Sequence, residues 1–208
     1  MPSIFVATSN AGKLRDFAGA AAISATVVLG IPNFSSLPEV AEDGLTFAAN
    51  ARKKAAQYSL RVPGEIVLAD DSGLEVDALS GAPGVHSARY AALEDGGVPH
   101  ASGNSSDAAN NARLLREMAG VAPERKTARF VCALAVARDG EVLATFSGAA
   151  EGLILSAPRG TDGFGYDPLF FFPPLNKTFA ELTFQEKATV SHRGAAFREF
   201  LEWYQRSR

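Results

Sequence analysis

The sequence contains almost no cysteine, and this scarcity excludes several kinds of site. Cys132 is the only cysteine among 208 residues, and it lies in the apolar run Phe130–Leu134, where a thiol most often packs as a small core residue. One cysteine can form neither an internal disulfide nor a cysteine-zinc site. The three histidines, His86, His100 and His192, lack zinc-binding spacing. Any metal must therefore be bound by oxygen ligands.

Long hydrophobic runs and a large excess of either charge are also missing. No segment approaches the roughly 18 uninterrupted apolar residues of a membrane span, and the first residues lack the basic stretch of a secretory signal. A net charge of -3 gives no positive field for gathering polyanions, so we expect neither nucleic-acid nor membrane binding. We expect a cytoplasmic protein whose residues 1–208 form a single domain with two lobes.

The most informative segment is a buried strand, predicted over Glu65–Ala69, that runs straight into Asp70, Asp71, Ser72 and Gly73. Adjacent carboxylates repel each other, and beside an apolar strand they are partly desolvated, so a metal ion or a lysine is needed to keep them ionised. The alternative is an ordinary solvated turn, for which serine and glycine are also suitable. This segment alone leaves both interpretations open.

Strand and helix patterns alternate along the first third of the chain. We predict strands at Ile4–Ala7 and Ala25–Leu29, a helix from near Lys13 and another from about Thr46. Leu93–Ser106 is predicted to be a long surface loop. This alternation predicts an α/β fold.

Antiparallel pairing is predicted further along the chain. Asp139 and Gly140 separate two apolar runs, which is typical of a tight β-hairpin. The last helix presents an apolar face and has Ser191 as its predicted N-cap. The hairpin and the alternating segments together predict a mixed sheet flanked by helices.

Two further segments have residues suited to binding an anion or a nucleotide. The helix start near Lys13 can face a phosphate, although Ala7 and Leu14 stand where a P-loop requires glycine and a hydroxyl residue. The glycine-rich segment Arg159–Pro168 carries two aromatic residues that could stack on a base. An ordinary solvated turn remains the alternative for each segment.

Taken together, four motifs resemble the inosine and xanthosine triphosphate pyrophosphatase family, and they span nearly the whole chain. The matching segments are Thr8-Ser9-Asn10-Ala11-Gly12-Lys13, Asp70-Asp71-Ser72-Gly73-Leu74 with Gly81–Tyr90 behind it, Gly163-Phe164-Gly165-Tyr166-Asp167-Pro168, and Ser191-His192-Arg193-Gly194. The resemblance implies an elongated mixed β-sheet flanked by helices, with two lobes around a central cleft, and usually a homodimer. It also implies Mg²⁺-dependent hydrolysis of ITP, dITP and XTP to the monophosphate and pyrophosphate.

The resemblance also implies roles for individual residues. Asp71 is the catalytic carboxylate and a magnesium ligand, Asp70 supports it, and Lys13 and Lys54 hold the triphosphate. The rest of the polyphosphate cradle is assigned to Thr8, Ser9, Asn10, Ala11, Gly12 and Ser72. Base choice is assigned to Phe164, Gly165, Tyr166, Asp167, Lys187, His192 and Arg193. The 6-keto group of the purine is the expected target, because adenine presents a donor at that position.

The sequence departs from the family pattern at the second metal ligand. Family members commonly have two acidic residues at a position where Ala41 precedes Glu42 in this chain. We expect Glu42 to be the second ligand, with Glu39 as the alternative.

Two other functions would fit parts of the sequence. A related pyrophosphatase family acts on modified pyrimidine or methylated guanine nucleotides, but it should lack the Ser191-His192-Arg193 element. A nucleotide-binding module without catalysis would gain nothing from Asp70 and Asp71 facing a polyanion.

Overall fold

The computed structural model describes residues 3–22, 26–93 and 103–207, and these residues divide into two compact units. The first unit is built from the segments Met1–Ser72, Val131–Ala149 and Phe184–Arg208, and the second from Gly73–Phe130 and Ala150–Thr183. Most of the predicted surface loop, at positions 94–102, lies outside the described residues, as does His100. That the whole chain forms one domain stays a prediction.

A seven-stranded mixed sheet has the strand order β2-β1-β3-β4-β5-β6-β7. Strand β1 pairs in parallel with β2 and β3, whereas β6 pairs in antiparallel fashion with β5 and β7. The predicted α/β fold with a mixed sheet is thereby confirmed. The strands are β1 (Ser3–Val6), β2 (Val27–Gly30), β3 (Ile66–Val76), β4 (Thr127–Arg138), β5 (Glu141–Ile154), β6 (Phe170–Phe172) and β7 (Lys177–Thr178).

Five α-helices are found in the described part of the chain, and side-chain caps mark where most of them begin. They are α1 (Ala11–Ala21), α2 (Phe47–Ser59), α3 (Asp107–Glu117), α4 (Phe184–Val190) and α5 (His192–Arg206). Asn10, Thr46, Ser106 and Ser191 each accept a hydrogen bond from a backbone N–H in the first turn of α1, α2, α3 and α5, respectively. The predicted cap at Ser191 is therefore confirmed, and α2 begins next to Thr46, where a helix start was predicted. None of these helices, all within the described residues, is long and apolar enough to cross a membrane.

The core of the first unit lies between the sheet and helices α1 and α5. Ile66 and Leu68 of β3 pack there with Phe17 of α1 and with Phe197 and Phe200 of α5. In a strand, alternate side chains share a face, so residues 70 and 72 continue the face that Ile66 and Leu68 begin. The core thus fixes which way each residue of β3 points.

The second unit has an aromatic core of its own. Phe130, Phe170 and Phe179 lie in mutual ring contact, with centroids 4.6 to 5.6 Å apart. Aromatic rings at such distances stabilise a core through both their buried area and their edge and face contacts. This cluster supports β6, the strand that follows the glycine-rich segment.

Two sequence predictions for the strands have different outcomes. The hairpin is confirmed, because Asp139 and Gly140 have φ of 49° and 87° between β4 and β5, as a primed turn requires. The alternative in which residues 70–73 form a turn is wrong: β3 continues to Val76, so the two aspartates lie inside a buried strand. The predicted strand ended too early because sequence rules treat Asp and Gly as strand breakers.

Candidate active site

Strand β3 places two neighbouring aspartates on opposite faces of the sheet. Asp70 and Asp71 are both buried, with 2% and 6% of their surfaces exposed. Their side chains alternate across the strand, so Asp70 faces α1 and α5 while Asp71 faces α2. Each carboxylate therefore has different partners.

Asp70 is held by two cations and a hydroxyl. The Lys13 Nζ lies 3.1 Å from Oδ1 and 3.0 Å from Oδ2 of Asp70. The Arg193 Nε lies 3.3 Å from Oδ2, and the Ser72 hydroxyl donates to the same oxygen at 3.0 Å. Arg193 also donates from Nη1 to Asp16 at 3.2 Å and from Nη2 to Ser72 at 2.7 Å. Two carboxylates and two cations thus form a buried, balanced network.

The network accounts for the ionisation of Asp70. Burial alone would raise its pKa, but the charges of Lys13, Arg193 and Lys54 outweigh burial and hold the pKa well below its ordinary range. The network also explains why a cation can occupy the first turn of α5, where the helix dipole disfavours positive charge. Asp16 and Asp70 supply the compensating negative charge.

Asp71 has fewer favourable partners. The Lys54 Nζ lies 3.7 Å from its Oδ1, and the Asn50 side chain donates to its Oδ2 at 2.9 Å. The same Lys54 ammonium lies 2.5 Å from Oε1 of Glu42. Asn50 and Lys54 are four residues apart on α2, so they lie on one helix face. Two carboxylates therefore share one lysine on this side of β3.

The pKa values reflect this imbalance. Burial raises the pKa of Asp71, and the nearby Glu42 raises it further, while Lys54 and the Asn50 hydrogen bond oppose the increase only in part. Burial would lower the pKa of Lys54, but Asp71, Glu42 and Asp70 outweigh it and the pKa is raised. Lys54 is therefore charged at neutral pH, whereas burial and Glu42 outweigh Lys54, Asn50 and the more distant Lys13 at Asp71.

This donor set fits a magnesium ion. Mg²⁺ binds oxygen ligands, and it usually takes one or two protein carboxylates together with waters and substrate phosphates. Asp71 and Glu42 provide two carboxylates that both approach Lys54, whereas Glu39 is exposed. Within the described part of the chain, no group of three or more His, Cys, Asp and Glu side chains is placed to hold a metal. The site thus suits a metal that is completed by substrate.

The first turn of α1 has the form of an anion site. Asn10 caps the helix by accepting from the Lys13 N–H at 3.0 Å, and the Asn10 N–H donates to the Thr8 hydroxyl at 3.1 Å. Ser9, Asn10 and Ala11 are exposed, and Gly12 is half-buried. Backbone N–H groups at an exposed helix start favour a phosphate. The predicted motif is linked to Asp70 by the contact between the Lys13 ammonium and the Asp70 carboxylate.

Lys187 and His192, which were predicted to take part in base choice, also belong to the first unit. Both are buried, on α4 and at the start of α5. Burial, followed by the charges of Arg193 and Lys187, lowers the pKa of His192 well below its ordinary value. His192 is therefore a neutral imidazole at neutral pH.

The glycine-rich segment belongs to the second unit and is internally ordered. Asp167 accepts a hydrogen bond from the Phe164 N–H at 2.9 Å, and the Tyr166 hydroxyl donates to the Ser87 carbonyl at 2.8 Å. Tyr166 is only 4% exposed, whereas Phe164 is half-buried. Of the two aromatic residues, Phe164 has the more accessible ring.

Sequence reasoning missed two residues that the structure places beside the aspartates. Asp16 follows Lys13 by three residues on α1 and binds Arg193. Asn50 binds Asp71, and its Oδ1 accepts from the Gly44 N–H at 2.7 Å. Helical spacing from Lys13 and from Lys54 was the available signal, because residues three or four apart share a helix face.

The α/β fold, the buried aspartates with their lysines and the exposed helix start beside Lys13 are suited to an enzyme that hydrolyses phosphate compounds. The model of the Ham1 family matches residues 4–203. A dITP/XTP pyrophosphatase of Acidobacterium capsulatum is 51% identical over 199 residues, which cover 96% of each chain. One from Geobacillus kaustophilus is 49% identical over 205 residues, covering 99% of this chain and 95% of the relative.

Solved structures agree with the sequence matches. The Ham1 protein of Staphylococcus aureus is 35% identical, with a TM-score of 0.80 over 99% of this chain and 100% of that one. The Ham1 protein of Coxiella burnetii is 34% identical with a TM-score of 0.80. This chain belongs to the Ham1 family, and the resemblance predicted from four motifs is confirmed.

Proposed function

We propose that this protein is a dITP/XTP pyrophosphatase. It hydrolyses ITP, dITP and XTP to the monophosphate and pyrophosphate and so clears them from the nucleotide pool. The observation that carries this proposal is the negative charge of the buried Asp71 carboxylate, which shares Lys54 with Glu42. A binding module would gain no affinity for a polyanion from that charge.

The proposed reaction is attack of water on the α-phosphorus. Asp71 orients the water and accepts its proton while the bond between the α-phosphorus and the bridging oxygen breaks and pyrophosphate leaves. Burial raises the pKa of Asp71, which makes it a better proton acceptor than an exposed aspartate. Lys54 is the cation beside this carboxylate and stabilises the negative charge that develops on the phosphate oxygens.

Asp70 is proposed to act through Lys13. The Lys13 ammonium has three N–H donors, and its contact with both Asp70 oxygens fixes its position. A fixed ammonium can bind the triphosphate without losing much side-chain freedom on binding. Ser72 and the backbone N–H groups of the α1 start, with Thr8, Ser9 and Asn10, form the rest of the proposed cradle.

Asp71 and Glu42 are proposed to hold Mg²⁺. When bound, the ion neutralises polyphosphate charge and makes a coordinated water more acidic. The test is the Mg²⁺ concentration that gives half-maximal pyrophosphate release. Glu42→Gln should raise it about tenfold or more. Glu39→Gln is the matched control and should leave it unchanged. A larger effect from Glu39→Gln would assign the ligand to Glu39 instead.

Base recognition is proposed to involve both aromatic stacking and polar contacts. Phe164 stacks on the purine, because Tyr166 is buried with its hydroxyl bound to Ser87. The polar edge of the base is assigned to Asp167, Lys187, His192 and Arg193. A 6-keto oxygen accepts hydrogen bonds, so cationic donors favour hypoxanthine and xanthine over adenine.

The decisive experiment is a substrate panel with a pyrophosphate readout. We expect purified protein with Mg²⁺ to cleave ITP, dITP and XTP at least about 100-fold more efficiently than ATP, and chelation of the metal should abolish the activity. Equal rates on all nucleotides would refute the base specificity. Release of single phosphates instead of pyrophosphate would refute attack at the α-phosphorus.

The quaternary state and location are proposed on the same family grounds. We propose a homodimer that acts in the cytoplasm without a nucleic-acid or membrane partner. Light scattering coupled to size-exclusion chromatography tests the dimer, for which the expected mass is twice the 21.9 kDa of the chain. A mass that stays at one chain across the concentration range would contradict it.

A further inference from the structure

Helix α3 makes two hydrogen bonds to the glycine-rich segment at Gly165. The Gly165 N–H donates to Oδ2 of Asp107 at 2.6 Å, and the Gly165 carbonyl accepts from Nδ2 of Asn111 at 2.9 Å. Gly165 lies between Phe164 and Tyr166, the two aromatic residues of the segment. Both backbone hydrogen-bonding groups of this residue are thus engaged by side chains of one helix.

The spacing of the two side chains explains how one helix reaches both groups. Asp107 and Asn111 are four residues apart on α3, so they lie one turn apart on the same face. Gly165 has a φ of 61°, a backbone conformation that L-residues rarely adopt. Glycine adopts this conformation without the steric cost of a side chain, and the hydrogen bonds to Asp107 and Asn111 select it from the many conformations open to glycine.

Fixing Gly165 also fixes its aromatic neighbours. Its N–H lies in the peptide plane shared with Phe164, and its carbonyl lies in the plane shared with Tyr166. The orientation of both planes is then set by α3, while the Tyr166 hydroxyl is bound separately to the Ser87 carbonyl. Phe164, the more accessible ring, has its backbone held on one side by Asp167 and on the other through Gly165.

The orientation of the Asn111 amide depends on Gly165. Its buried Oδ1 accepts no hydrogen bond from the residues that the structure describes. Exchanging the amide nitrogen and oxygen would set two acceptors, Oδ1 and the Gly165 carbonyl, against each other. The contact with Gly165 therefore selects one orientation of the amide, even though that orientation leaves a buried acceptor unsatisfied.

We propose that Asp107 and Asn111 are positioning residues for nucleobase recognition. They act through Gly165 by setting the angle at which Phe164 meets the purine. The inference rests on the proposed function, in which Phe164 stacks on the base. It assigns a role in that function to the first two turns of α3.

Four variants test whether the two hydrogen bonds matter individually. Asp107→Ala removes the acceptor, whereas Asp107→Asn retains one. Asn111→Ala removes the donor, whereas Asn111→Asp replaces it with an acceptor that repels the Gly165 carbonyl. We expect Asp107→Ala and Asn111→Asp to raise the KM for ITP about tenfold while kcat stays within about twofold. The first variant loses a hydrogen bond to a charged acceptor, and the second replaces a hydrogen bond with repulsion between two acceptors. Asp107→Asn should stay near wild type, and Asn111→Ala should lie between.

Two further readouts separate positioning from general damage. The preference for ITP over ATP, measured as the ratio of kcat/KM values, should fall in Asp107→Ala and Asn111→Asp. The inhibition constant of inorganic pyrophosphate, which has no base, should not change. Ser106→Ala is the matched control, because Ser106 caps α3 by accepting from the Ala109 N–H at 3.2 Å and has no contact with Gly165. It should lower the melting temperature without changing the preference.

The possible outcomes are distinct. Unchanged KM and preference in both Asp107→Ala and Asn111→Asp would overturn the positioning role, as would an equal loss of preference in Ser106→Ala. If Asp107→Ala does not fold, Asn111→Ala and Asn111→Asp decide the question alone. A wild-type protein that binds ITP in calorimetry but does not cleave it would refute the proposed function. Weaker ITP binding by the variants would still support the positioning role.

Discussion

The two faces of β3 carry neighbouring aspartates in opposite electrostatic surroundings. On the α1 and α5 face, Asp70 and Asp16 are balanced by Lys13 and Arg193, and the pKa of Asp70 is lowered despite burial. On the α2 face, Asp71 has only a share of Lys54, and its pKa is raised. On one face the neighbouring cations therefore outweigh burial, and on the other face burial and Glu42 outweigh the cations.

This difference is the basis for proposing a structural role for Asp70 and a reactive role for Asp71. A balanced buried network holds its members in place but has little remaining attraction for a cation. An unbalanced carboxylate costs stability in the free protein and gains it when a cation binds. Active sites often retain such destabilising groups because the reaction requires them.

Replacing Asp71 should give the largest effect. Asp71→Asn is expected to reduce pyrophosphate release from ITP by about 10³-fold, since it removes the proton acceptor and a metal ligand. In the metal-free protein the same change should raise the free energy of unfolding, because a poorly compensated buried charge is removed. The measurements are a pyrophosphate assay and urea denaturation with a chelator present. Near-normal turnover would refute the catalytic role.

Replacing Asp70 should mainly reduce stability. Asp70→Asn leaves Lys13 and Arg193 with one buried carboxylate, and we expect a loss of about 3 kcal/mol in the free energy of unfolding. Asp43→Asn is a suitable control, because it breaks an exposed pair with Lys53 on the α2 side and should have no measurable effect. Equal stability of Asp70→Asn and Asp71→Asn would contradict the contrast between the two faces.

A smaller effect is expected from the residue that orients Asp71. Asn50→Ala removes a hydrogen bond that lowers the pKa of Asp71, so the acidic limb of the activity profile should move to higher pH and kcat/KM should fall about tenfold. The measurement is kcat/KM for ITP between pH 5 and pH 9.

A pair of glycine variants gives the control for Asn50. In Gly44→Ala the new Cβ would lie 2.6 Å from Oδ1 of Asn50, so this variant should shift activity in the same direction. In Gly30→Ala the Cβ would meet only Leu14 at 3.9 Å, and activity should be retained. A loss in Gly30→Ala equal to that in Gly44→Ala would point to general damage instead.

The smallest effect should be the pH dependence of stability in the metal-free protein. Asp70 has a lowered pKa in the folded state, so its stabilisation is present above the pKa of an unfolded aspartate, about 3.9, and is lost as the pH falls further. Asp71 has a raised pKa, so its destabilisation develops as the pH rises from about 3.9 through the folded value. Urea denaturation from pH 3 to pH 7 should therefore show the Asp70→Asn deficit shrinking at low pH. The gain in free energy of unfolding from Asp71→Asn should grow as the pH rises. If the stability curves of both variants run parallel to that of the wild type, neither aspartate titrates as described.

Local signals in the sequence predicted most of the fold. The helix start near Thr46, the cap at Ser191 and the turn at Asp139 and Gly140 depend on residues close in sequence, and each is confirmed. The continuation of β3 through Asp70 and Asp71 was not predicted, because local propensity disfavours aspartate in a strand. Partners from α1, α2 and α5 outweigh that propensity.

The site was only partly predictable for the same reason. Lys13, Lys54 and Glu42 could be identified from the family motifs, but Asp16 and Asn50 could not. The structural role of Asp16 depends on its hydrogen bond with Arg193, which lies 177 residues further along the chain. Helical spacing places Asp16 on the same face as Lys13, but this spacing alone does not distinguish Asp16 from a solvated helix carboxylate.

The ion pair between Asp16 and Arg193 has a consequence for synthesis of the protein on the ribosome. Chains are made from the N-terminus, so Asp16, Lys13 and Asp70 emerge well before the helix that carries Arg193. Until α5 leaves the ribosome, Asp16 and Asp70 would have to share Lys13 as their cation if they were buried. The core of the first unit would also lack the side chains that α5 contributes. The nascent chain therefore cannot assemble the Asp70 face until the segment that forms α5 has left the ribosome, because that segment carries Arg193, which lies 123 residues beyond Asp70.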